Sequence, residues 1–180
     1  MDIKCSVFIA VSLDGFIARP NGEIDWLNDP SASAEAGEDY GYKAFMASVD
    51  VLVMGRKTYQ QVLTFNEWPY SGKKVVVLSS GSPKIPENVS ASVEIMRGSP
   101  AEVLGQLLQH GVRHCYIDGG KTIQGFLNAG LIDEMTITQI PVLIGAGLPL
   151  FGKLDRDLRF QHVETKTYPN GFVQSRYSAM

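Results

Sequence analysis

Apolar residues along the chain occur in short runs, and the spacing within the runs alternates between the periods of strands and helices. Eight runs of β-branched or apolar residues, bounded by Gly, Pro, Ser or Asp, are typical of strands. They span residues 5–12, 49–55, 73–80, 91–97, 113–118, 133–144, 159–168 and 171–179. Other segments have apolar residues at three- and four-residue steps, with Ser, Thr or Pro near their starts and Gly near their ends, and predict helices. These are residues 33–49, 56–65, 99–111 and 120–130.

The order of these elements predicts the fold class. Strands and helices alternate, and most of the strands are nearly continuous apolar runs, which indicates a mostly parallel sheet covered by helices on both faces. The last two strands differ, because they flank Pro169, Asn170 and Gly171, a turn sequence that predicts an antiparallel hairpin. No internal repeat, low-complexity segment or linker divides the sequence, so residues 1–180 are expected to form a single α/β domain.

Composition and charge limit the classes of function. The chain has 180 residues, of which 44% are hydrophobic, and its formal net charge is −3. The 16 basic residues are scattered among 19 acidic ones, so the charge pattern offers no field for nucleic acid or for an anionic membrane. No signal-peptide pattern or apolar run of membrane-spanning length is present, and a cytoplasmic location is expected. Cys5 and Cys115 lie in strand-like runs and are interpreted as buried structural thiols, in preference to a disulfide or a redox pair.

Several short motifs do not meet the requirements of the functions that they suggest. Gly147 to Leu154 has the first glycine, the spacing and the lysine of a phosphate-binding P-loop, but Leu154 stands where a magnesium-binding Ser or Thr is required. A nucleotide phosphotransferase is therefore kept only as a minor alternative. His110 and His114 are four residues apart, but Gly111 should end the helix between them and no third ligand follows. We expect surface positions for these histidines and no metal site.

Two strand-to-helix junctions carry the main functional signal. Residues Gly55 to Thr58 and Gly119 to Thr122 each end a strand with Gly and start a helix with a cation and a Thr. Helix N-termini provide free N–H groups and a positive dipole end, so two junctions at one sheet edge can hold two phosphates, as in a dinucleotide. The alternative is that the glycines only permit tight turns and the threonines only cap helices. Arg56 and Lys57 favour the anion site, because adjacent cations at a helix start oppose the dipole unless an anion binds.

A third segment offers hydroxyl groups at the same edge. Ser79, Ser80 and Ser82 follow an apolar strand, at the end where parallel sheets place their ligands. Together with Arg56 and Lys57 they form a predicted cluster of anion-binding groups.

Three segments, in one order and spacing, resemble the dihydrofolate reductase-like superfamily: VMGRKTYQQV, KKVVVLSS and YIDGGKTIQGFLNAGLIDEMTIT. The segments SVFIAVSLDGFIA and PVLIGAGLPLF are most similar to the reductase domain at the C-terminus of the bifunctional riboflavin-biosynthesis deaminase-reductase. The resemblance covers essentially the whole chain. It implies a three-layer α/β/α fold, dihydrofolate reductase-like, with NADPH as the hydride donor.

The resemblance also assigns cofactor-binding residues. It implies that two phosphate turns, an adenosine-phosphate segment and a loop over the nicotinamide bind NADPH. The first turn is Gly55, Arg56, Lys57 and Thr58, and the second is Gly119, Gly120, Lys121 and Thr122. The adenosine-phosphate segment is Ser79, Ser80 and Gly81, and the loop contains Ala10, Asp14, Gly15 and Ile17.

The substrate that the resemblance implies is a pyrimidine or a pteridine. In dihydrofolate reductases an Arg grips the carboxylate of the folate tail, and Lys73 stands in its place here, without the bidentate fork of Arg. The loop from Ser12 to Gly15 also departs from that of the folate enzymes. Reduction of 5-amino-6-(5-phosphoribosylamino)uracil is therefore the leading expectation, and dihydrofolate reduction or NADPH binding without turnover are the alternatives.

A catalytic acid is assigned only by position. In dihydrofolate reductases a carboxylate seventeen residues before the Arg of the phosphate loop assists protonation, and the same count back from Arg56 leads to Asp39. Glu35, Glu38 and Asp39 also crowd a predicted helix start, where the dipole alone favours acids, so a purely N-terminal role is the alternative. Asp14, in the loop over the nicotinamide, is the second catalytic candidate.

The expected partners are a small-molecule substrate and a second copy of the chain. The resemblance implies a homodimer that pairs through the sheet edge and the C-terminal region. The apolar run from Ile140 to Phe151 is also too long for an exposed loop in a monomer, although it could instead cover the domain's own core.

Overall fold

The computed structural model describes residues 2–28 and 38–180 of the chain. The helices in this part are α1 (Tyr42–Ser48), α2 (Arg56–Val62), α3 (Pro100–Gln109) and α4 (Gly120–Asn128), with short 3-10 turns at Asp25–Asn28 and Glu87–Val89. The strands are β1 (Lys4–Ser12), β2 (Phe16–Ala18), β3 (Val51–Gly55), β4 (Lys74–Leu78), β5 (Val93–Met96), β6 (His114–Asp118), β7 (Glu134–Ile140), β8 (Leu148–Pro149), β9 (Phe160–Thr167) and β10 (Val173–Ala179). No helix in these ranges is long and apolar enough to cross a membrane.

Eight of the strands form one mixed sheet in the order β5-β4-β3-β6-β1-β7-β10-β9. Across the sheet, the six neighbouring strands β5, β4, β3, β6, β1 and β7 pair in parallel. Strand β10 pairs antiparallel with both β7 and β9. The parallel strands therefore end at one common edge, where ligands bind in sheets of this kind. This arrangement confirms the predicted mixed sheet with a C-terminal antiparallel hairpin.

Helices cover both faces of the parallel strands because successive strand residues point to opposite sides. Val51 and Val53 of β3 belong to a core cluster that includes residues of α3 and α4. Leu52 and Met54 belong to a second cluster on the other face, which includes Tyr59 and Val62 of α2 and contacts α1. The two clusters confirm the three-layer α/β/α arrangement.

The two cysteines occupy the first of these clusters. Cys5 and Cys115 are register partners on the neighbouring strands β1 and β6, and both are free and fully buried. Contact with Cys115, together with burial, raises the pKa of the Cys5 thiol, so the thiolate form is disfavoured. This confirms their interpretation as structural thiols.

Helix α3 begins and ends where its sequence predicts. Ser99 and Glu102 form a reciprocal capping box, with the Ser99 N–H donating to Glu102 Oε2 at 2.7 Å and the Glu102 N–H donating to Ser99 Oγ at 3.4 Å. Gly111 follows the helix with a φ of 82°, the left-handed conformation that commonly ends helices at glycine.

The prediction of a helix over residues 33–49 is wrong at residues 38–41, which precede the observed start of α1. Tyr40 and Gly41 have φ values of 55° and 83°, which a right-handed helix does not allow. Helix α1 therefore begins only at Tyr42. Residues 33–37, including Glu35, lie outside the described residues.

Three smaller features also differ from the sequence prediction. Strand β7 ends at Ile140 and not at 144, because Pro141 has no N–H for the ladder. The antiparallel pair β2 and β8 was not predicted, since two- and three-residue strands are too short to show a period. His114 is half-buried in β6 and not on the surface, and its ring contacts the Ser6 hydroxyl at 2.8 Å and the Ser48 carbonyl at 2.9 Å.

Candidate functional site

The two predicted junctions lie side by side at the common edge of the parallel strands. Strands β3 and β6 are neighbours, and Met54 pairs with Asp118, so Gly55 and Gly119 leave the sheet at the same height. A methyl group added to Gly55 would lie 3.0 Å from Thr122 Oγ1. One added to Gly119, which has a φ of 88°, would overlap Thr58 Oγ1. Each glycine is therefore contacted by the threonine of the other junction, and the two turns are packed as one unit.

The Arg56 guanidinium lies against the loop after β4. A methyl group at Gly81 would be 3.8 Å from Arg56 Nη1 and 3.9 Å from Ser79 Oγ, and the Gly81 N–H donates to Ser79 Oγ at 3.2 Å. Among the described residues, no acid forms an ion pair with Arg56 or Lys57. The structure thus brings the first junction and the predicted adenosine-phosphate segment together around an exposed cation that is not neutralised.

The remaining predicted cofactor residues differ in their exposure and position. Lys57 and Ser80 are exposed, whereas Thr122 is buried. Lys121 is exposed and its ammonium donates to Gln124 Oε1 at 3.3 Å along α4. Ile17 lies over the second junction, since a methyl group at Gly120 would be 3.0 Å from Ile17 Cδ1. The last residue, Ala10, is half-buried near the end of β1.

Asp118 ends β6 between the two junctions and was not found from the sequence. Burial of its carboxyl raises its pKa to about 6, although hydrogen bonds from the Gly119 N–H, at 2.8 Å, and from the Tyr70 hydroxyl oppose the shift. Tyr42 and Tyr116 also surround it, and burial together with the Asp118 charge raises the pKa of Tyr42 to about 12. The carboxyl can therefore hold and release a proton near neutral pH. The signal for it was an acid that ends an apolar strand directly before Gly-Gly.

Asp39 has the geometry of an N-terminal residue. Its carboxylate accepts the N–H groups of Lys43 at 2.9 Å and Gly41 at 3.0 Å, and these bonds lower its pKa. An acid with a lowered pKa is a poor proton reservoir at neutral pH. These contacts match the alternative that Asp39 has a purely N-terminal role at the helix. A catalytic role of Asp39 stays a prediction.

Asp14 is exposed and also has a lowered pKa, mainly because the Ser12 hydroxyl donates to it at 2.6 Å. It further accepts N–H groups from the loop after β7, from Gly145 at 2.8 Å and from Ile144 at 3.3 Å. These contacts connect two loops and leave its catalytic role untested.

Lys73 lies at the opposite edge of the sheet from the junctions. Its ammonium donates to the Val49 carbonyl at 2.6 Å, just before β3 begins. The side chain that replaces the folate-binding Arg is thus held away from the edge where Asp118 lies.

A groove of about 380 Å³ lies on the sheet face beside α1. Its rim carries Lys4, Glu134, Arg176 and Glu164 in a chain of ion pairs across neighbouring strands. None of the predicted cofactor or catalytic residues lines it. Within the described residues, no group of three or more His, Cys, Asp or Glu side chains could hold a metal ion.

The chain is similar to one protein family and to several known proteins. Residues 4–174 match the family described as the RibD C-terminal domain. The uncharacterised protein YwjB of Bacillus subtilis is 35% identical over 179 residues, which cover 98% of both chains. The crystal structure of a candidate riboflavin biosynthesis protein from Shewanella sp. PV-4 superposes with a TM-score of 0.92 and 41% identity, covering 99% of both chains. The family match confirms the resemblance to the riboflavin-type reductase domain.

The fold is also shared with more distant proteins. Dihydrofolate reductase from Enterococcus faecalis superposes with a TM-score of 0.70 at 17% identity, covering 98% of this chain and 96% of the other. At this identity the likeness concerns the fold alone. It confirms the predicted dihydrofolate reductase-like architecture.

We expect Gly119→Ala to destabilise the protein more than Gly72→Ala does. Both glycines have positive φ, which costs an alanine about 1–3 kcal/mol, but Gly119, with a ψ of 134°, lies outside the left-handed helical region and also lacks space for a methyl group. Overlap with Thr58 should add about 1–3 kcal/mol for Gly119→Ala, measured by urea unfolding. Thr58→Ala in the same chain should recover part of that excess, and equal costs for the two glycine variants would contradict the interlocked junctions.

Asp118 should make the protein less stable as the pH rises from about 4 to about 7. The unfolded carboxyl has an ordinary pKa of 3.8 and the folded one about 6, so the folded state retains its proton over this window. The stability that the neutral carboxyl provides is fully present below pH 3.8 and lost through pH 6, by about 2–3 kcal/mol. Urea unfolding of the native protein and of Asp118→Asn at several pH values measures this. Parallel curves for the two proteins would contradict the raised pKa.

Proposed function

We propose that this chain, which belongs to the RibD C-terminal domain family, is an NADPH-dependent reductase of a pyrimidine- or pteridine-type substrate. Reduction of 5-amino-6-(5-phosphoribosylamino)uracil is the leading example of this class. The observation that carries the proposal is the interlocked pair of junctions, with Arg56 beside Ser79 and Gly81 and an ionisable carboxyl at Asp118 between the helix starts.

The residues present fit a dinucleotide with an extra phosphate. Arg56 offers a planar donor fork, it has no acidic partner among the described residues, and Ser79 adds a hydroxyl beside it. Gly120, Lys121 and Thr122 begin α4 and offer its first backbone N–H groups, whereas the Gly119 N–H already donates to the Asp118 carboxyl at 2.8 Å. Arg56, Lys57 and Ser79 would hold the 2′-phosphate or pyrophosphate side, and Gly119 to Thr122 would hold the second phosphate.

NADPH supplies a hydride, so the protein must hold the proton that the reduced double bond also needs, which is a ring C=N in a pteridine and the open-chain sugar C=O or C=N in the ribosylaminopyrimidine. Asp118 is the described acid with a pKa raised toward neutrality, and it lies at the edge where the cofactor would bind. In its protonated form it can donate a hydrogen bond to a ring nitrogen, and in its ionised form it can accept one. We assign it the proton-holding role in preference to Asp39, whose carboxylate is occupied at the start of α1.

The surroundings of Asp118 favour a compact polar ring as substrate. The half-buried Tyr42 has a hydroxyl and an aromatic ring near the carboxyl that can contact a planar heterocycle, while the buried Tyr70 donates its hydroxyl to Asp118. Lys73 is engaged with Val49 at the other edge, so the arginine-like grip on a folate tail has no equivalent. Dihydrofolate reduction and NADPH binding without turnover are the alternatives to be tested.

We also propose a homodimer that uses the segment from Ile140 to Phe151. Leu143 and Phe151 in this segment are 69% and 50% exposed, which is unusual for neighbouring large apolar side chains on a monomer surface. Burial of this segment in a dimer would remove them from water.

NADPH should bind more tightly than NADH by roughly 2–4 kcal/mol, the scale of one or two charge-assisted contacts to the extra phosphate. Arg56→Ala should remove most of this difference while leaving NADH binding nearly unchanged. Isothermal titration calorimetry measures both affinities, with Arg159→Ala, an exposed arginine before β9, as the control. Equal affinities of the native protein for the two cofactors would contradict the assignment.

Turnover should be found by NADPH oxidation against dihydrofolate, dihydropterins and the ribosylaminopyrimidine. With the substrate that reacts, Asp118→Asn should lower the turnover rate about 100-fold or more, because a positioned acid contributes at least that factor. Asp39→Asn should retain most of the rate. If Asp39→Asn lowers the rate more than Asp118→Asn does, the proton-holding role belongs to Asp39. If the protein binds NADPH but oxidises it with none of the compounds, a non-catalytic binding protein is favoured. If it binds nucleoside triphosphates in a magnesium-dependent way, a phosphotransferase is favoured.

Light scattering at micromolar concentration should give about 39 kDa, twice the 19.7 kDa chain. Leu143→Lys should convert the dimer to monomer, because it places a charge in the apolar contact. Phe65→Lys changes a residue that is 39% exposed in the turn after α2, outside the C-terminal region and this segment, and serves as the matched control. A mass near 20 kDa for the native protein would show that the segment from Ile140 to Phe151 covers only the core of its own domain.

A further inference from the structure

The Asp14 carboxylate forms hydrogen bonds that connect two loops far apart in the sequence. Oδ1 of Asp14, in the turn after β1, accepts the Ser12 hydroxyl at 2.6 Å and the Ile144 N–H at 3.3 Å. Oδ2 accepts the Gly145 N–H at 2.8 Å. Ile144 and Gly145 belong to the loop after β7. Both carboxylate oxygens are therefore engaged, with donors from the two loops on either side.

Ser12 also forms a hydrogen bond with β2. While its hydroxyl donates to Asp14, its oxygen accepts the N–H of Phe16, the first residue of β2, at 3.0 Å. Ser12 is fully buried, so its hydroxyl has no competing water contacts. A chain of hydrogen bonds thus runs from the Gly145 amide through Asp14 and Ser12 to the Phe16 amide.

Beyond these bonds, the two loops lie over the second junction. Strands β2 and β8 pair with each other, and a methyl group at Gly120 would be 3.0 Å from Ile17 Cδ1 and 3.3 Å from the Pro149 carbonyl oxygen. A methyl group at Gly147 would overlap the Ala18 carbonyl oxygen, which shows how closely the segments approach. Residues from both β2 and β8 therefore lie close to Gly120.

The Asp14 carboxylate connects the two loops in its charged form. Its hydrogen bonds, chiefly that from Ser12, lower the pKa of Asp14, so it is ionised at neutral pH. Its partners are all neutral donors: one hydroxyl and two backbone N–H groups. Bonds of this charge-assisted kind are stronger than neutral ones and depend on the negative charge.

We infer that Asp14 is a positioning residue: it holds the loops after β1 and β7 in the arrangement that closes over the nicotinamide end of the cofactor site. The inference rests on the proposed function, because it needs a dinucleotide at the two junctions. Asp14 acts through Ser12, Phe16 and Ile17 and does not itself exchange a proton with substrate. It should affect the binding of the nicotinamide half and leave the adenosine-phosphate half unaffected.

Asp14→Asn tests this with the full chain, because the amide has nearly the same shape but lacks the charge. Two other backbone bonds between the loops remain, from Leu13 N–H to the Val142 carbonyl and from Leu150 N–H to the Gly15 carbonyl, so the variant should fold. Asp50→Asn is the matched control, since it removes the charge of another exposed carboxylate that accepts two backbone N–H groups, those of Arg113 and His114, at the other end of the parallel strands.

Two measurements follow on each protein. Amide hydrogen exchange should become at least tenfold faster at Gly145 and Phe16 in Asp14→Asn, and remain unchanged at both positions in Asp50→Asn. Affinity for NADPH should fall about tenfold in Asp14→Asn, whereas affinity for adenosine 2′,5′-bisphosphate, which lacks the nicotinamide, should stay the same. A general loss of structure would weaken both ligands together.

The outcomes separate this inference from the proposed function. If the native protein binds NADPH but Asp14→Asn binds both ligands as tightly as it does, the positioning role is wrong and the proposed function stands. An equal loss for both ligands would also overturn it. If the native protein binds neither ligand, the proposed function fails and the inference fails with it.

Discussion

The close packing of two turns is the constraint on which the rest of this structure depends. Gly55 and Gly119 end neighbouring parallel strands at the same height, and each lies against the threonine of the other turn. The turns can approach so closely only because neither glycine has a side chain, and Gly119 also needs a positive φ. This packing fixes the starts of α2 and α4 relative to each other, and it explains why the two Gly-cation-Thr sequences resemble each other so closely.

The charged groups at the edge that these turns form lower the stability of the protein. Arg56 and Lys57 start a helix with no acidic partner among the described residues, and the half-buried Asp118 has a raised pKa. Both features cost stability in the protein alone, and under the proposed function they would become favourable when an anion and a proton-accepting substrate bind. Strain and unpaired charge of this kind are concentrated at functional sites, whereas the opposite edge is satisfied by ordinary contacts such as that of Lys73 with Val49.

The sequence predicts the sheet and this edge well, because both depend on local patterns. Apolar strands bounded by Gly, Ser or Asp and the capping box of α3 are encoded within a few residues, and the parallel order follows from their alternation with helices. The start of α1 was mispredicted, because acids suited to a helix start precede Tyr40 and Gly41, whose positive φ stops the helix.

Asp118 escaped prediction for a different reason. Its raised pKa results from burial among Tyr42, Tyr70 and Tyr116, which come from three separate segments. The role of Asp14 likewise depends on amides 130 and 131 residues away along the chain. Local sequence cannot show such contacts, although it does place both acids at strand ends, where functional groups concentrate.

The most direct test of the account is a crystal structure of the protein with NADPH. The account predicts phosphate groups at the turns from Gly55 to Thr58 and from Gly119 to Thr122, with the 2′-phosphate on Arg56 and the nicotinamide ring near Asp118. A cofactor bound in the groove beside α1, or one whose phosphates touch neither turn, would contradict it.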